Sequence, residues 1–518
     1  MKHNGNIVLW TLSGDYDVNK PVLVDAGNTN RFVSLGTARR LVASLAGAFD
    51  PGSTVCLHLP NDVLYPLLVL AILGSRARWT GTNVAYTVAE LKHHFRISET
   101  RYVVTAPDHL ENVRKAVDHC GQKVEIILFA DLLDPSTDVN AADSCRTILD
   151  LLQPTSGDDL ADSLRAIDLD DTAALMNTSG TTGLPKMAAR SHKSLWVEQL
   201  AMAAGAPKAY EVRRLYCVPI FHAFAAPEMI FNALRHGHRS YFMHRFDDSF
   251  VQKVHDFKIT ETSGAPPLML RMVNDVGRHH LLQSLRRITF GGAILVPELR
   301  RQTLAIFKEP PRIVPVYGMT EGGWFTTLFG PEDDEGAEAG SVGRPIPGYT
   351  IKVVKNTTLA DGTMAGEIMV RGPQVMQEYL NNSAATATAF ENGWLKTGDF
   401  GYIQNNHIFL VDRVKDLIKV SGFQVAPAEL EEALRQFPAV VDASVFGAGH
   451  DIDEYPVACV VVSNPEVSAE QLKAHLRKLL TGYKVSRCDI RFVNNIPRST
   501  AGKVIKKALR LQVLGPEA

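Results

Sequence analysis

The sequence has no marked excess of either charge. Among its 518 residues, Lys plus Arg is 54 and Asp plus Glu is 56, a net charge of −2 at neutral pH. A dedicated nucleic-acid binder would show a basic surplus, so that class is disfavoured. Cysteine is scarce: six are scattered at 56, 120, 145, 217, 459 and 488, and no pair forms CxxC. These spacings suit neither a zinc site nor a disulfide framework, and buried, reduced thiols are expected. Long apolar runs are missing as well. The longest, at 64–73, is far short of the roughly 20 residues a membrane span needs, and reads as a buried helix. The run at 7–12 is too short for a signal-peptide core. Gly515-Pro516-Glu517-Ala518 carries neither a peroxisomal tripeptide nor a prenylation box. The expectation is a soluble, cytoplasmic protein with no membrane span.

What is present is ordinary for a folded chain: 45% hydrophobic and 21% charged residues. At about 150 residues per domain the length suggests two to four domains. Strand-like segments at 55–59 and 102–105 are each followed by a helix-like one, at 63–73 and 110–119. Such alternation predicts an α/β protein with a large, multi-subdomain N-terminal part and mostly parallel sheets. Acidic, irregular stretches at 153–171 and 331–340 read as solvated connectors. From 416 onward the pattern is a small α+β unit. Pro427 opens a helix to 434, strands follow at 440–446 and 456–462, and Ser468 with Gln471 forms a capping-box pattern for a helix to 480. The expected boundary lies at 412–416, between an N-terminal domain at 1–412 and a small C-terminal domain at 416–518.

The strongest local signal is Thr178-Ser179-Gly180-Thr181-Thr182-Gly183-Leu184-Pro185-Lys186, directly after an apolar strand at 173–176. Its glycines let backbone approach a ligand closely, and its hydroxyls and N–H groups suit phosphate oxygens. Lys186 adds positive charge. A Walker A loop is excluded, because Pro185 precedes the lysine and Met187 follows it.

This loop resembles the phosphate-binding motif of the adenylate-forming superfamily: acyl- and aryl-CoA ligases, peptide-synthetase adenylation domains and beetle luciferases. Four further segments are similar to that family's other elements. They are Val316-Tyr317-Gly318-Met319-Thr320-Glu321, Gly393 to Asp399 with Thr397-Gly398-Asp399 at its end, Asp412 to Lys419, and Pro497-Arg498-Ser499-Thr500-Ala501-Gly502-Lys503. They occur in the family's order, and the likeness covers about residues 30–511, closest to 4-coumarate-CoA-ligase-like enzymes. Met187 departs from the glycine usual after the loop lysine.

The resemblance implies a two-step reaction with ATP, Mg²⁺ and coenzyme A. A carboxylate attacks the ATP α-phosphate, and a thiol then displaces AMP from the acyl-adenylate. It implies that Lys503 stabilises charge between carboxylate and phosphate, Thr320 bonds the α-phosphate, and Glu321 holds Mg²⁺, a hard ion that prefers oxygen ligands. Asp399 and Arg413 would hold the ribose. Tyr317 would stack on adenine, with Gly318, Met319 and the backbone of Gly291, Gly292 and Ala293 beside it. Pro219-Ile220-Phe221-His222 resembles the family's Pro-Leu-Phe-His element, which places His222 at the junction of acyl pocket and thiol tunnel. Lys415 lies in the hinge, about which the small domain turns between half-reactions, bringing Lys419 to the site. Ser421, Gly422, Phe423 and Arg245 would meet CoA; many plant relatives have lysine where Ser421 stands.

Ala223, Phe224, Ala225 and Ala226 offer no carboxylate for an α-ammonium, and an unpaired buried ammonium is costly. Val316 and Trp324 would narrow the acyl pocket. The expected substrate is therefore an apolar aryl or medium-chain carboxylic acid. The expected acceptor is CoA; the alternative is a carrier protein or a free amine. By analogy, the setting is secondary metabolism.

Overall fold

Alternation of buried strands and helices builds two neighbouring sheets. We describe a computed structural model covering residues 5–134, 145–154, 164, 167–178, 185–202, 208–292, 295, 297–334, 336, 340–359, 362–420, 423–449, 454–480, 482–498 and 504–515. The predicted strand at 55–59 is Thr54–His58, and the helix after it is Tyr65–Gly74. Every residue of that helix is buried, because it lies in the largest core with apolar neighbours on all sides. Strand Thr100–Thr105 and helix Leu110–His119 follow as expected.

The first sheet has eight strands. Its centre is parallel, and the strands Thr172–Asn177, Met187–Ser191 and Glu378–Tyr379 close one edge with antiparallel pairing. A second, seven-stranded sheet is parallel through Arg312–Pro315, Arg287–Phe290, Glu261–Gly264, Arg213–Tyr216, Arg239–Phe242 and Pro21–Asp25. Parallel sheets gather ligands outside the carboxyl ends of their strands, and the motif segments fall there. The sequence pattern did not foresee the antiparallel sheet of Thr350–Thr358, Met364–Arg371, Trp394–Gln404 and His407–Arg413.

Two of the solvated stretches are less open than expected. In 153–171, Leu164 and Ile167 are buried, and Asn6 donates to the Leu164 carbonyl; residues 155–163 and 165–166 lie outside the described set. In 331–340, Asp333 is 1% exposed, accepts from Phe329 N–H at 2.7 Å and pairs with Arg344 at 2.5 Å. A charge run is thus anchored by one buried member.

The C-terminal unit has its own cores. Helix Pro427–Arg435, strands Val440–Ala448 and Tyr455–Val462, and the capped helix Ala469–Leu479 match the predicted pattern. Lys484, part of a basic tail, is buried and bonds both oxygens of Glu429 at 2.7 Å, a structural role. All six cysteines are free. Among the described residues no helix is long and apolar enough to cross a membrane.

Candidate active site

The phosphate-loop motif is the connection of a hairpin. Asn177 pairs with Met187 across it. Inside that pair, Thr178 N–H donates to the Lys186 carbonyl at 2.9 Å, and Lys186 N–H donates to Thr178 Oγ1 at 3.2 Å. The neck is therefore set by backbone pairing. Ser179, Gly180, Thr181, Thr182, Gly183 and Leu184 lie outside the described residues.

The loop's lysine and Glu321 share one aromatic neighbour. Lys186 Nζ sits 4.9 Å from the centroid of Tyr379, and the Tyr379 hydroxyl donates to Glu321 Oε1 at 2.6 Å. Glu321 is buried, with Met376 N–H on its carbonyl at 2.6 Å. One carboxylate oxygen is held by tyrosine, and among the described residues none donates to the other. Such a donor set fits a hard cation whose remaining ligands come from phosphates and water. Beside the carboxylate, burial raises the Tyr379 hydroxyl pKa far above the usual range, and Glu321 adds to the shift. Tyr379 therefore stays a proton donor.

The turn is braced from behind by a fully buried ion pair, Arg190 Nη1 to Glu198 Oε2 at 3.1 Å. Glu198 Oε1 accepts the Trp324 N–H at 3.0 Å. A side chain at Gly323 would overlap this carboxylate, and its φ of +72° also favours glycine. Tyr349 donates to the Gly322 carbonyl at 2.5 Å from the other side.

A second cluster joins three motifs. Asp399 and Arg413 face each other across adjacent strands. Arg413 Nε lies 2.8 Å from Asp399 Oδ1, and the Tyr317 hydroxyl donates to Asp399 Oδ2 at 2.7 Å. Burial and then the Asp399 charge raise the Tyr317 pKa well above its usual value. Tyr317 was expected to offer its ring to a base; its hydroxyl is also anchored, which fixes the ring plane against Phe325. Gly318 is exposed beside it, and Met319 and Thr320 are partly open.

His222 and Ala223 line a cleft of about 170 Å³ with Thr178, Pro185, Asn177 and Thr320. Trp79, Tyr86 and Phe221 also stand on its walls. Phe224 N–H donates to His222 Nδ1 at 3.2 Å. That bond makes Nδ1 the acceptor, so in neutral histidine the proton sits on Nε2. Phe224, Val316 and Trp324 pack together beside this cleft. The Phe224 and Trp324 rings stack at 5.9 Å, and Trp324 Nε1 donates to the Phe224 carbonyl at 3.1 Å. A Cβ at Gly291 would lie 2.5 Å from the Phe224 ring, so that ring rests on bare backbone. Gly292 has a φ of +82° and open space around it, while Ala293 is outside the described residues.

The remaining predicted residues are less gathered. Arg245 is exposed next to His244, which pairs with Asp25 at 3.6 Å, and it does not line the cleft. Lys415 lies in the short turn Val414–Asp416. Lys419 and Phe423 lie on the paired strands Ile418–Val420 and Phe423–Val425. Ser421, Gly422 and Lys503 lie outside the described residues. Sequence reasoning missed Tyr379, Tyr86, Asn177 and the Arg190–Glu198 pair. A lone tyrosine after a loop carries no spacing signal. The charged pair at 190 and 198 was readable only as an unusual interruption of an apolar stretch.

The AMP-binding enzyme family profile matches residues 16–380, and the profile of the AMP-binding enzyme C-terminal domain matches 429–503. The chain belongs to the AMP-binding, adenylate-forming enzyme family. Among curated proteins it is 45% identical to the acyl-CoA ligase M9 of a Phoma species, over 99% of this chain and 97% of that protein. It is 31% identical to the 4-coumarate–CoA ligase CCL1 of Humulus lupulus, covering 96% of this chain and 92% of that one. Among solved structures, ATP-bound MatB from Rhodopseudomonas palustris superposes with a TM-score of 0.77 at 23% identity, covering 99% of this chain and all of that one. The amide bond synthetase McbA from Marinactinospora thermotolerans gives 0.80 at 22% identity, with 98% and 100% covered. These last two show the fold.

Proposed function

We propose that the protein is an AMP-forming acyl-CoA ligase that activates a carboxylic acid with an apolar body, aromatic or medium-chain. The observation that carries this is the convergence of three motifs. Thr178, Thr320 and His222 line one cleft, with the Tyr317–Asp399–Arg413 cluster built on the same Tyr317-to-Glu321 segment. Full-length relatives named as acyl-CoA ligases support the same reading.

In this proposal Asp399 and Arg413 take the ribose, and Tyr317, with Gly318, Met319, Gly291, Gly292 and Ala293, takes the adenine. The loop Thr178–Lys186 cradles the phosphates. Glu321 would hold Mg²⁺, which supplies charge neutralisation on phosphate oxygens when bound. A carboxylate oxygen of the acid attacks the α-phosphorus and pyrophosphate leaves. Thr320 donates to the α-phosphate, and Lys503 offsets the charge that builds there. Such steps depend on positioning and on donors aimed where charge develops. The chain then turns about 413–415, within the division 1–412 and 416–518. Lys415 and Lys419 change neighbours and Lys503 withdraws. The CoA thiol, admitted past His222 along Ser421, Gly422 and Phe423 with Arg245 on its phosphates, attacks the acyl carbon and AMP departs.

The test is product analysis by mass spectrometry with ATP, Mg²⁺ and a panel of aryl and fatty acids, with and without CoA. An acyl-CoA product is expected. Acyl-AMP that accumulates without thioester would replace CoA by a carrier protein or an amine, which would then be supplied directly.

A further inference from the structure

The loop that carries His222 is held by a buried amide from the neighbouring sheet. Strand Thr54–His58 ends in the corner Leu59-Pro60-Asn61-Asp62, before helix Tyr65–Gly74 begins. Asn61 is buried in that corner. Its Nδ2 donates to the Val218 carbonyl at 2.9 Å and to the Met243 carbonyl at 3.1 Å, and its Oδ1 accepts the Ile220 N–H at 2.9 Å. Val218 and Met243 follow the strands Arg213–Tyr216 and Arg239–Phe242 of the seven-stranded sheet. One side chain thus ties the carboxyl end of a strand in the first sheet to the carboxyl ends of two strands in the second, where ligands gather. A short carboxamide suits this seam because it presents two donors and an acceptor together, and each is used.

The corner itself is fixed. Arg31, whose carbonyl accepts the Asp25 N–H of the second sheet, donates from Nη1 and Nη2 to Asp62 at 2.9 and 3.0 Å and from Nε to Asp131 at 2.6 Å. Such bidentate pairing sets angle as well as distance. Asp62 Oδ1 also accepts the Leu64 N–H at 2.8 Å, which secures the start of the buried helix. On the other side of the seam, His222 N–H donates to the Pro219 carbonyl at 3.1 Å. The turn Pro219–His222 is therefore a closed unit, pinned at Ile220 and, just before it, at Val218. Phe221, His222 and Ala223 form one wall of the cleft, against Trp79, Gly81 and Thr178 of the first sheet. At Gly81 the walls touch, since an added Cβ would lie 2.5 Å from the Phe221 Cβ.

We infer that Asn61 is a positioning residue, which sets His222 in the cleft by holding the Val218–Ile220 segment from the opposite sheet. Its bearing on catalysis rests on the acyl-ligase reading above, in which carboxylate and thiol meet beside His222. Without the amide, the Val218 and Met243 carbonyls and the Ile220 N–H lose a buried partner. The turn is then free to move against the wall of Trp79, Gly81 and Thr178. Rates fall steeply when a reacting or positioning group is displaced by about 1 Å. The Tyr317–Asp399–Arg413 cluster shares no hydrogen bond with Asn61, so nucleotide affinity should be spared.

Two measurements test this. Protein isotope-labelled at histidine Cε1 gives a ring signal for each histidine, and the His222 signal is the one missing from His222→Ala. In Asn61→Ala that signal should move, while those of His407 and His475, on other elements, stay in place. An unmoved His222 signal overturns the inference, and so does a displacement of all three, which would mean a global change. Kinetics give the second measurement. With the best acid of the panel above, Asn61→Ala should lower kcat roughly tenfold or more, while the KM for ATP stays within about twofold. In a His222→Ala background the same substitution should change kcat by no more than about twofold, because residues that act through one another are not additive. The full loss persisting in that background overturns the inference. Asn61→Ser keeps one donor and one acceptor, should be intermediate in both measurements, and takes the place of Asn61→Ala if that variant does not fold. No adenylate from any acid would sink the acyl-ligase reading, and the His222 signal would still decide whether Asn61 sets the ring.

Discussion

The Tyr379 hydroxyl donates to Glu321 Oε1 at 2.6 Å, and the Tyr379 ring lies under Lys186. One side chain thus ties the end of the phosphate loop to the carboxylate proposed to hold Mg²⁺. Tyr379 reaches both because its short strand pairs with Ala188 and Ala189, just past the loop.

Tyr379→Phe keeps the ring and removes the hydroxyl. A hydrogen bond to a charged group contributes about 1.5–3 kcal/mol. We expect ATP–pyrophosphate exchange to fall about tenfold or more, with a raised requirement for Mg²⁺. Thioester formation from synthetic acyl-adenylate should stay within twofold of wild type. Equal loss in both assays would mean a general structural defect.

Asp399→Asn breaks the pairing with Arg413 and leaves Tyr317 a weaker acceptor. The KM for ATP should rise about tenfold, with a smaller change in the KM for the acid. Direct titration with ATP, or with a non-hydrolysable analogue, checks it. Unchanged nucleotide affinity would remove Asp399 from the ribose site.

Arg190→Met leaves Glu198 buried and unpaired, which should cost about 3–5 kcal/mol. Removing both charges, in Arg190→Met with Glu198→Leu, should recover much of that stability. The double variant still lacks the acceptor for Trp324 N–H, so its activity should remain below wild type while its urea midpoint recovers. Denaturation and pyrophosphate release measured on the same samples separate the two effects.

Acid should destabilise the fold through its buried histidines. Burial, then the neighbouring His109, lowers the pKa of His58 to about 4. Burial also lowers His94 to about 3 and His192 to about 4. In the unfolded chain each titrates near 6.5. The neutral folded form is therefore fully favoured above pH 6.5, and stability is lost as pH falls from there toward 4 and 3. Thermal midpoints should drop across that window. His94→Asn should lessen the slope, because it removes one group that must charge on unfolding.

Lys503→Ala should abolish adenylate formation without lowering the thermal midpoint. Gly422→Trp should leave adenylation intact and block thioester formation. Both effects are read from pyrophosphate exchange and acyl-CoA yield; equal loss of both half-reactions in Gly422→Trp would refute the proposed division between Lys503 and the Lys419–Phe423 segment.

Much of the protein was determined by the sequence alone. Local backbone chemistry sets the apolar strand that leads into Thr178, the helix behind Pro427 and the cap at Ser468. Each needs only neighbours in the chain, so periodicity and spacing expose it. The ordered motifs were likewise legible, because each is a short run of residue types. What only the tertiary structure decided is which distant side chains meet. Tyr379 reaches Glu321 across 58 positions, Glu198 reaches Trp324 across 126, and Ser263 reaches Glu228 across 35. No local preference encodes those pairings. They follow from the register of the strands and from how one helix lies on a sheet, where burial leaves each polar atom few partners to choose from.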